Sequence, residues 1–169
     1  MLKTEPEVRD FNESFRAAMA RVCTPVAVVT TVEDGRPHGT TVSAFTSLSL
    51  NPPMILVSLD ASSDLLALIR RTRCFGVNVL TRTQADLAHR FAIKGRDKFA
   101  GVSWVAAQGS ARLAANAAWV ACEVVQFVPG GDHLIVLGKV LSVEATEAEP
   151  LTYHARAFGT HMSMPPDLR

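Results

Sequence analysis

The sequence predicts a mainly β protein: a closed or nearly closed β-barrel with helical decoration. Three observations carry this reading. Strand-like runs at 26–32, 54–59, 74–80, 119–128 and 133–143 are rich in Val, Ile, Leu and Phe. Tight-turn signals at Asp34-Gly35 and Pro129-Gly130-Gly131-Asp132 fold consecutive runs into antiparallel hairpins toward both ends of the chain. The helical stretches between them are short, so they decorate a sheet and do not build a bundle. A doubly wound nucleotide fold is disfavoured, since it needs parallel strands alternating with helices and a glycine-rich first turn.

Taken in order, Phe11, Phe15, Ala18, Met19 and Val22 recur at helical spacing and predict an amphipathic helix over about 8–22, ended by Pro25. Val26 to Val32 reads as the first strand, and the return strand runs from His38 to about Leu50, where Asn51-Pro52-Pro53 stops it. Met54 to Leu59 reads as a buried third strand. A helix over Asp64–Arg71, a strand over Cys74–Leu80 and a helix over Gln84–Ala92 follow, with Thr83 as a candidate cap. Lys94 to Lys98 forms a charged loop, and the long 119–128 and 133–143 hairpin completes the barrel.

With 169 residues the expectation is a single domain over 1–169, its core at about 11–158. A formal net charge of +1, from 17 basic and 16 acidic residues mixed along the chain, leaves no basic stripe for a phosphate backbone, so nucleic acid is excluded as a partner. The N-terminus lacks the apolar run of a signal peptide and no stretch is long enough to span a bilayer, which predicts a cytoplasmic protein with no membrane association. Cys23, Cys74 and Cys122, odd in number and widely spaced, read as reduced core thiols with no metal site.

The segment Gly39 to Leu50 is dense in hydroxyls. Drawn as one extended strand, it places Val42, Ala44, Leu48 and Leu50 on one face and Thr41, Ser43, Ser47 and Ser49 on the other. Hydroxyls donate and accept at once, which suits a ligand carrying both kinds of group, although a solvated outer face has the same pattern. Ser58, Ser62 and Ser63 precede a predicted helix, whose N-terminus can hold a phosphate or be capped by a serine.

In order and spacing these residues resemble the flavin reductase-like family, split-barrel proteins that serve as reductase components of two-component flavin-dependent monooxygenases. The resemblance runs through Phe15-Arg16-Ala17-Ala18-Met19, Val26 to Thr31, His38-Gly39 through Asn51-Pro52-Pro53, and Phe75 to Leu80. It continues through Gln84, Leu87, Arg90-Phe91-Ala92, Lys98 to Val102, Gly131-Asp132-His133 and Pro150 to His154. It implies an FMN-binding split β-barrel of Greek-key type, a homodimer holding FMN or FAD, and NADH or NADPH as electron donor. The implied cofactor contacts are Thr40, Thr41, Ser43, Ala44, Phe45, Thr46, Ser47, Ser49, Ser62, Ser63, Asn78, Arg90, Phe91 and Lys98. The implied nucleotide contacts are Asp132, His133, Thr24 and Tyr153. The chain departs from the family pattern at Thr24-Pro25, where Thr-Gly is usual, and at Ala155-Arg156 and Phe158, where Arg-Gly and Tyr are usual.

The activity this implies is NAD(P)H-dependent flavin reduction that supplies reduced flavin to a partner monooxygenase. Hydride transfer between two cofactors needs position and electrostatics, so no catalytic acid or base is expected. Thr46 is the candidate stabiliser of the reduced flavin edge. The alternatives are a flavoprotein of the same fold that keeps its flavin and reduces another acceptor, and a non-catalytic flavin-binding electron carrier.

Overall fold

The computed structural model describes residues 5–95 and 97–164. Its elements in chain order are α1 (Glu5–Met19), β1 (Thr24–Pro25), β2 (Ala27–Glu33), β3 (Arg36–Val42), β4 (Phe45–Leu50), β5 (Pro53–Asp60), α2 (Asp64–Thr72), β6 (Cys74–Val79) and α3 (Ala85–Ala92). There follow β7 (Trp104–Ala107), β8 (Ser110–Leu113), β9 (Ala118–Gly130), β10 (His133–Ala145), β11 (Leu151–His154) and β12 (Ala157–Thr160).

Seven strands form an antiparallel sheet in the order β3-β2-β6-β9-β10-β5-β4. The two ends of that order are consecutive in the chain and joined only by Ser43 and Ala44. The two edges of the sheet are therefore brought together at one point, the Ser43-Ala44 link, and no ladder bonds join β3 to β4, so the barrel stays split along that line. This is the split barrel that the family resemblance implies. Two small sheets flank it, β1-β11-β12 and β7-β8.

Strand β2 shows why the fold holds together. Its alternate residues enter two different cores: Ala27 and Val29 join the cluster of Val57, Leu66, Ile69, Phe75, Val77 and Val136, whereas Val28 joins Leu80, Phe91, Leu113 and Leu151. A strand with both faces covered reads as a continuous apolar run, and each such side chain contributes about 1.5–3 kcal/mol by leaving water. Helix α2 supplies Leu65, Leu66 and Ile69 to the first cluster, and α3 supplies Ala88 and Phe91 to the second.

The structure corrects several sequence expectations. The hydroxyl segment is not one strand, because it breaks at Ser43-Ala44 and its two halves become opposite edges of the sheet. The first helix ends at Met19, three residues before the predicted end, and Pro25 sits in a strand. Thr83 does not cap α3: its hydroxyl pairs with that of Thr81 at 3.1 Å, and the N-cap is Gln84, whose Oε1 accepts from the Thr81 N–H at 2.9 Å. Cys23 is exposed and Cys74 only half-buried, so of the three thiols Cys122 alone is a fully enclosed one, and burial pushes it up to about 12. Of the predicted apolar stripe, Phe15 and Met19 on α1 and Val22 just beyond it are exposed in the single chain. No helix among the described residues is long and apolar enough to cross a membrane.

Candidate functional site: an open trough along the barrel seam

A trough of about 890 Å³ opens beside the seam. Its floor is β3 and the Ser43-Ala44 link. One wall is the end of β5 with the turn into α2, from Ser58 through Asp60, Ser62 and Ser63 to Leu65 and Leu68, with His133 beside it. The other wall is the loop after α3, with Lys94, Asp97, Lys98 and Phe99, continued by Trp104 on β7.

The loop wall is pinned to the floor by a consistent set of bonds. Lys98 Nζ donates to the carbonyls of Phe91 at 2.8 Å and Gly39 at 3.1 Å, joining the C-terminal turn of α3 to β3. A cation at a helix C-terminus satisfies carbonyls that lack helical partners. Burial lowers the Lys98 pKa below the usual lysine value, opposed by the nearby Asp64 carboxylate. Thr41 Oγ1 donates to Ala88 O at 2.7 Å and Thr40 Oγ1 to Phe91 O at 3.5 Å. Gly39 is needed at the centre of this contact, since a Cβ there would lie 3.0 Å from Phe91 Cε1.

The opposite wall is also internally bonded. Asp60 Oδ1 accepts from the Ser62 N–H at 2.7 Å and from the Ser62 hydroxyl at 2.6 Å, and these bonds hold the Asp60 carboxyl below the usual carboxylate range. Ser62 is thus committed to the turn. Ser63 occupies the N-cap position of α2, yet its hydroxyl makes no cap bond. The Ala61 N–H donates to Asp132 O at 3.0 Å and His133 pairs with Asp60 in the ladder, so the 130–133 turn and the start of α2 form one stitched unit. His133 Nδ1 lies 2.7 Å from Asp132 Oδ1.

The structure therefore brings Thr40, Thr41, Ser43, Ala44, Ser62, Ser63, Lys98 and His133 to one cavity, with Asp132 adjoining. It does not bring the others there. Thr46, Ser47 and Ser49 lie on β4 beyond the link, outside the trough lining, and Phe45 packs against the core. Asn78 is fully enclosed, bonded to Val28 O, Ala111 O, the Thr30 hydroxyl, the Leu113 N–H and Asn116, so the expectation that it faces a ligand is corrected. Phe91 is likewise a core side chain, edge-on to Phe99 at 4.8 Å. Arg90 reaches the Ala100 carbonyl at 2.8 Å. Thr24 and Tyr153 pair with each other in the three-stranded sheet, away from the trough. Arg36, His38, Asp60, Lys94, Phe99 and Trp104 line the cavity although the sequence did not single them out as contacts. The His38-Gly39 and Lys98-Phe99 steps lay within the family resemblance, and that was the available signal.

The donors present fit a flavin phosphate. An N-cap hydroxyl without a cap bond and the first amides of a nine-residue helix line the same trough as Lys94 and can hold a phosphate, while Ser43 and Ser58 offer small hydroxyls along it.

The flavin reductase-like domain family matches residues 19–161. The reductase component of a 4-nitrophenol 4-monooxygenase/4-nitrocatechol 2-monooxygenase from Rhodococcus opacus is 41% identical over 145 residues, covering 86% of this chain and 78% of that one. Among solved structures, nitrilotriacetate monooxygenase component B of Mycobacterium thermoresistibile superposes with a TM-score of 0.86 at 30% identity, covering 96% and 97% of the two chains. The Streptomyces globisporus NADH:FAD oxidoreductase SgcE6, in complex with NAD and FAD fragments, superposes with a TM-score of 0.84 at 28% identity over the whole of both chains. The match over most of the chain, together with the split barrel and its phosphate-competent trough, identifies this protein as a member of the flavin reductase-like family.

Proposed function

We propose that this protein is an NAD(P)H-dependent flavin reductase that supplies reduced FMN or FAD to a partner flavin-dependent monooxygenase. The observation that carries the reading is the trough: it is open along one side, polar on its floor, and equipped at the start of α2 with a serine hydroxyl left unused by the fold. A bound flavin would supply the hydride acceptor. The chain's residues supply position: Ser63, the α2 amides and Lys94 hold the phosphate, Ser43 and the Ala44 backbone fix the ring end, and Lys98 keeps the loop wall seated on β3. Asp132 and His133 border the start of α2 and are the residues assigned to the nucleotide, with Asp132 orienting the imidazole through Nδ1. An open trough suits a cofactor that must leave after reduction, in contrast to a sealed pocket.

The relative from Rhodococcus opacus, named as the reductase component of a monooxygenase, supports a separate oxygenase as the partner. A homodimer is proposed from uncovered apolar surface: Phe15 and Met19 on α1, Leu48 and Leu50 on the edge strand β4, and Leu141 and Val143 on β10 are exposed in the single chain. The site of action is the cytoplasm.

The test is oxidation of NADH and of NADPH by the purified protein with FMN, FAD, riboflavin or no added flavin, beside sedimentation velocity. Turnover that depends on added flavin, by a species of twice the chain mass, is the expected result. Turnover by a tightly retained flavin without any added would favour the flavin-keeping alternative, and no turnover with any pair would refute the reductase reading. In the same assay His133→Ala should raise KM for the nucleotide while leaving flavin affinity unchanged.

A further inference from the structure

We infer that the C-terminal end of α2 is a docking site for an acidic protein segment, anchored by Arg70 and Arg73. The bearer of that segment is the oxygenase partner, an assignment that rests on the proposed function. The site stands apart from the trough. Asp64, Leu65 and Leu68 turn one side of α2 to the cavity, whereas Arg70 and Arg73 reach over Phe127 on β9, their guanidinium carbons 5.5 and 5.2 Å from the ring centroid. Both arginines are exposed.

Three features set this pair apart from cations that merely offset a helix C-terminus. Like charges three positions apart repel, and neither arginine has a carboxylate partner among the described residues, although Arg71 between them is paired with Glu33 at 2.7 Å. Arg73 is also held in place at a conformational cost. It caps α2 at φ 60°, a left-handed position where glycine is usual, with its N–H donating to Ile69 O at 2.9 Å and its Nη2 to Val124 O at 3.0 Å. Finally, apolar surface lies beside the charges, since Phe127 is only partly buried against the first core and Val125 is exposed. Rigid arginines next to an aromatic ring and open apolar surface have the composition of a protein-binding hot spot.

The acidic groups nearby leave the pair uncompensated. Glu123 points to the opposite face of β9 from Cys122 and Val124, which enter the core beneath α2, and its cross-strand neighbour is Lys139. Asp60 and Asp64 belong to the other end of α2, with Asp64 about 9 Å from Arg70 along the helix axis, and they share the trough with Lys94 and Lys98. A peptide carboxylate fits the site better than a phosphate. It needs only the guanidinium fork, and its neighbouring methylenes can lie on Phe127 and Val125. A phosphate site recruits the amides of a helix N-terminus, whereas α2 ends here in carbonyls.

The test is fluorescence anisotropy of tetramethylrhodamine-labelled poly-L-glutamate titrated with the full-length protein at low salt, with saturating FMN to keep the trough occupied. Binding that weakens as salt is added is expected. Arg70 makes no bond to the backbone, so Arg70→Glu tests the site without disturbing the fold, and it should weaken binding about tenfold. Arg73→Gln should weaken it to a similar extent. Flavin-dependent NADH turnover by both variants should match the wild type, because neither residue lines the trough. No binding at low salt, or binding unchanged by Arg70→Glu, overturns the inference, and intact turnover in the same samples leaves the reductase reading standing. Displacement of the label by polyphosphate at lower concentration than by unlabelled poly-L-glutamate overturns the choice of a protein segment. Arg70-dependent binding by a wild-type protein that turns over no NADH keeps the site and removes the oxygenase as its occupant.

Discussion

Asn78→Ala separates a core role from a ligand role at one residue. The Asn78 amide group donates to Val28 O and Ala111 O, each at 3.1 Å, and to the Thr30 hydroxyl at 3.3 Å, while its Oδ1 accepts from the Leu113 N–H at 2.8 Å and from Asn116 Nδ2 at 3.0 Å. Truncation leaves the acceptors better off than the donors, because Ala111 O keeps its 2.7 Å bond from Thr30. The buried Leu113 N–H and the Asn116 amide lose their partner, and the Asn116 Oδ1 already lacks one among the described residues. Two stranded donors at about 1–3 kcal/mol each, plus the lost packing volume, give a destabilisation of roughly 3–5 kcal/mol. Asn78→Asp retains shape but turns an acceptor toward two carbonyls, so the buried carboxyl must hold its proton. Its folded pKa then lies above the unfolded value of about 3.9, and the deficit relative to wild type is full above that raised value and shrinks as pH falls from it toward the unfolded one. The assay is urea unfolding at fixed protein concentration, since dimerisation couples stability to concentration, with flavin titration of the folded variant in parallel. A stability loss below about 1 kcal/mol together with lost flavin binding would refute the core assignment.

Three further outcomes follow from the same geometry. Ser63→Ala should weaken FMN about tenfold while leaving riboflavin unchanged, because it removes a hydroxyl from a charged group, whereas Ser62→Ala should affect both flavins alike through the turn that it braces. The Ser62 bonds lower the folded pKa of Asp60, so their contribution to stability is present above the unfolded aspartate value and is lost as pH falls through the lowered one; Asp60→Asn should remove that part of the acid dependence in thermal melts. Arg156, at φ 65° beside Ala155 at φ 49°, holds a left-handed conformation in the β11–β12 hairpin. Arg156→Gly should relieve about 1–2 kcal/mol of strain against about 0.4–1 kcal/mol of added chain entropy, and raise Tm by about 1–4 °C.

The barrel was legible because its strands carry their pairing in their own chemistry: the Asp34-Gly35 step and the 129–132 turn set two hairpins, and the apolar run of β2 declared both of its faces covered. The small strands β7, β8, β11 and β12, of four residues each, were not, since so short a stretch shows no period. The site was legible as composition but not as bonding. Alternation placed hydroxyls on one side of β3, yet nothing in the segment reveals that Thr40 and Thr41 spend their protons on α3 carbonyls some fifty positions away. The same distance hid Lys98, which reads locally as part of a charged loop and is in fact the clasp between that loop and the floor. Asn78 misled for the opposite reason: it sits in a segment resembling the family, but in this chain its side chain is enclosed and spends its bonds on Val28, Thr30, Ala111, Leu113 and Asn116.

The seam between β3 and β4 bears on how the cavity can move. Elsewhere around the barrel, separating two neighbouring strands breaks a ladder of backbone bonds, but at Ser43-Ala44 the edges are tethered by chain, with the Ser58 N–H to Ala44 O bond at 2.9 Å holding the link to the next strand. Widening at that line leaves every rung of the ladder intact. A widening along this line would therefore cost the sheet no rung and leave both hydrophobic clusters closed, like a ring cut at one point. Amide exchange should record this as fast turnover on the outward edges of β3 and β4 and slow turnover at β6 and β9, which lie opposite the gap.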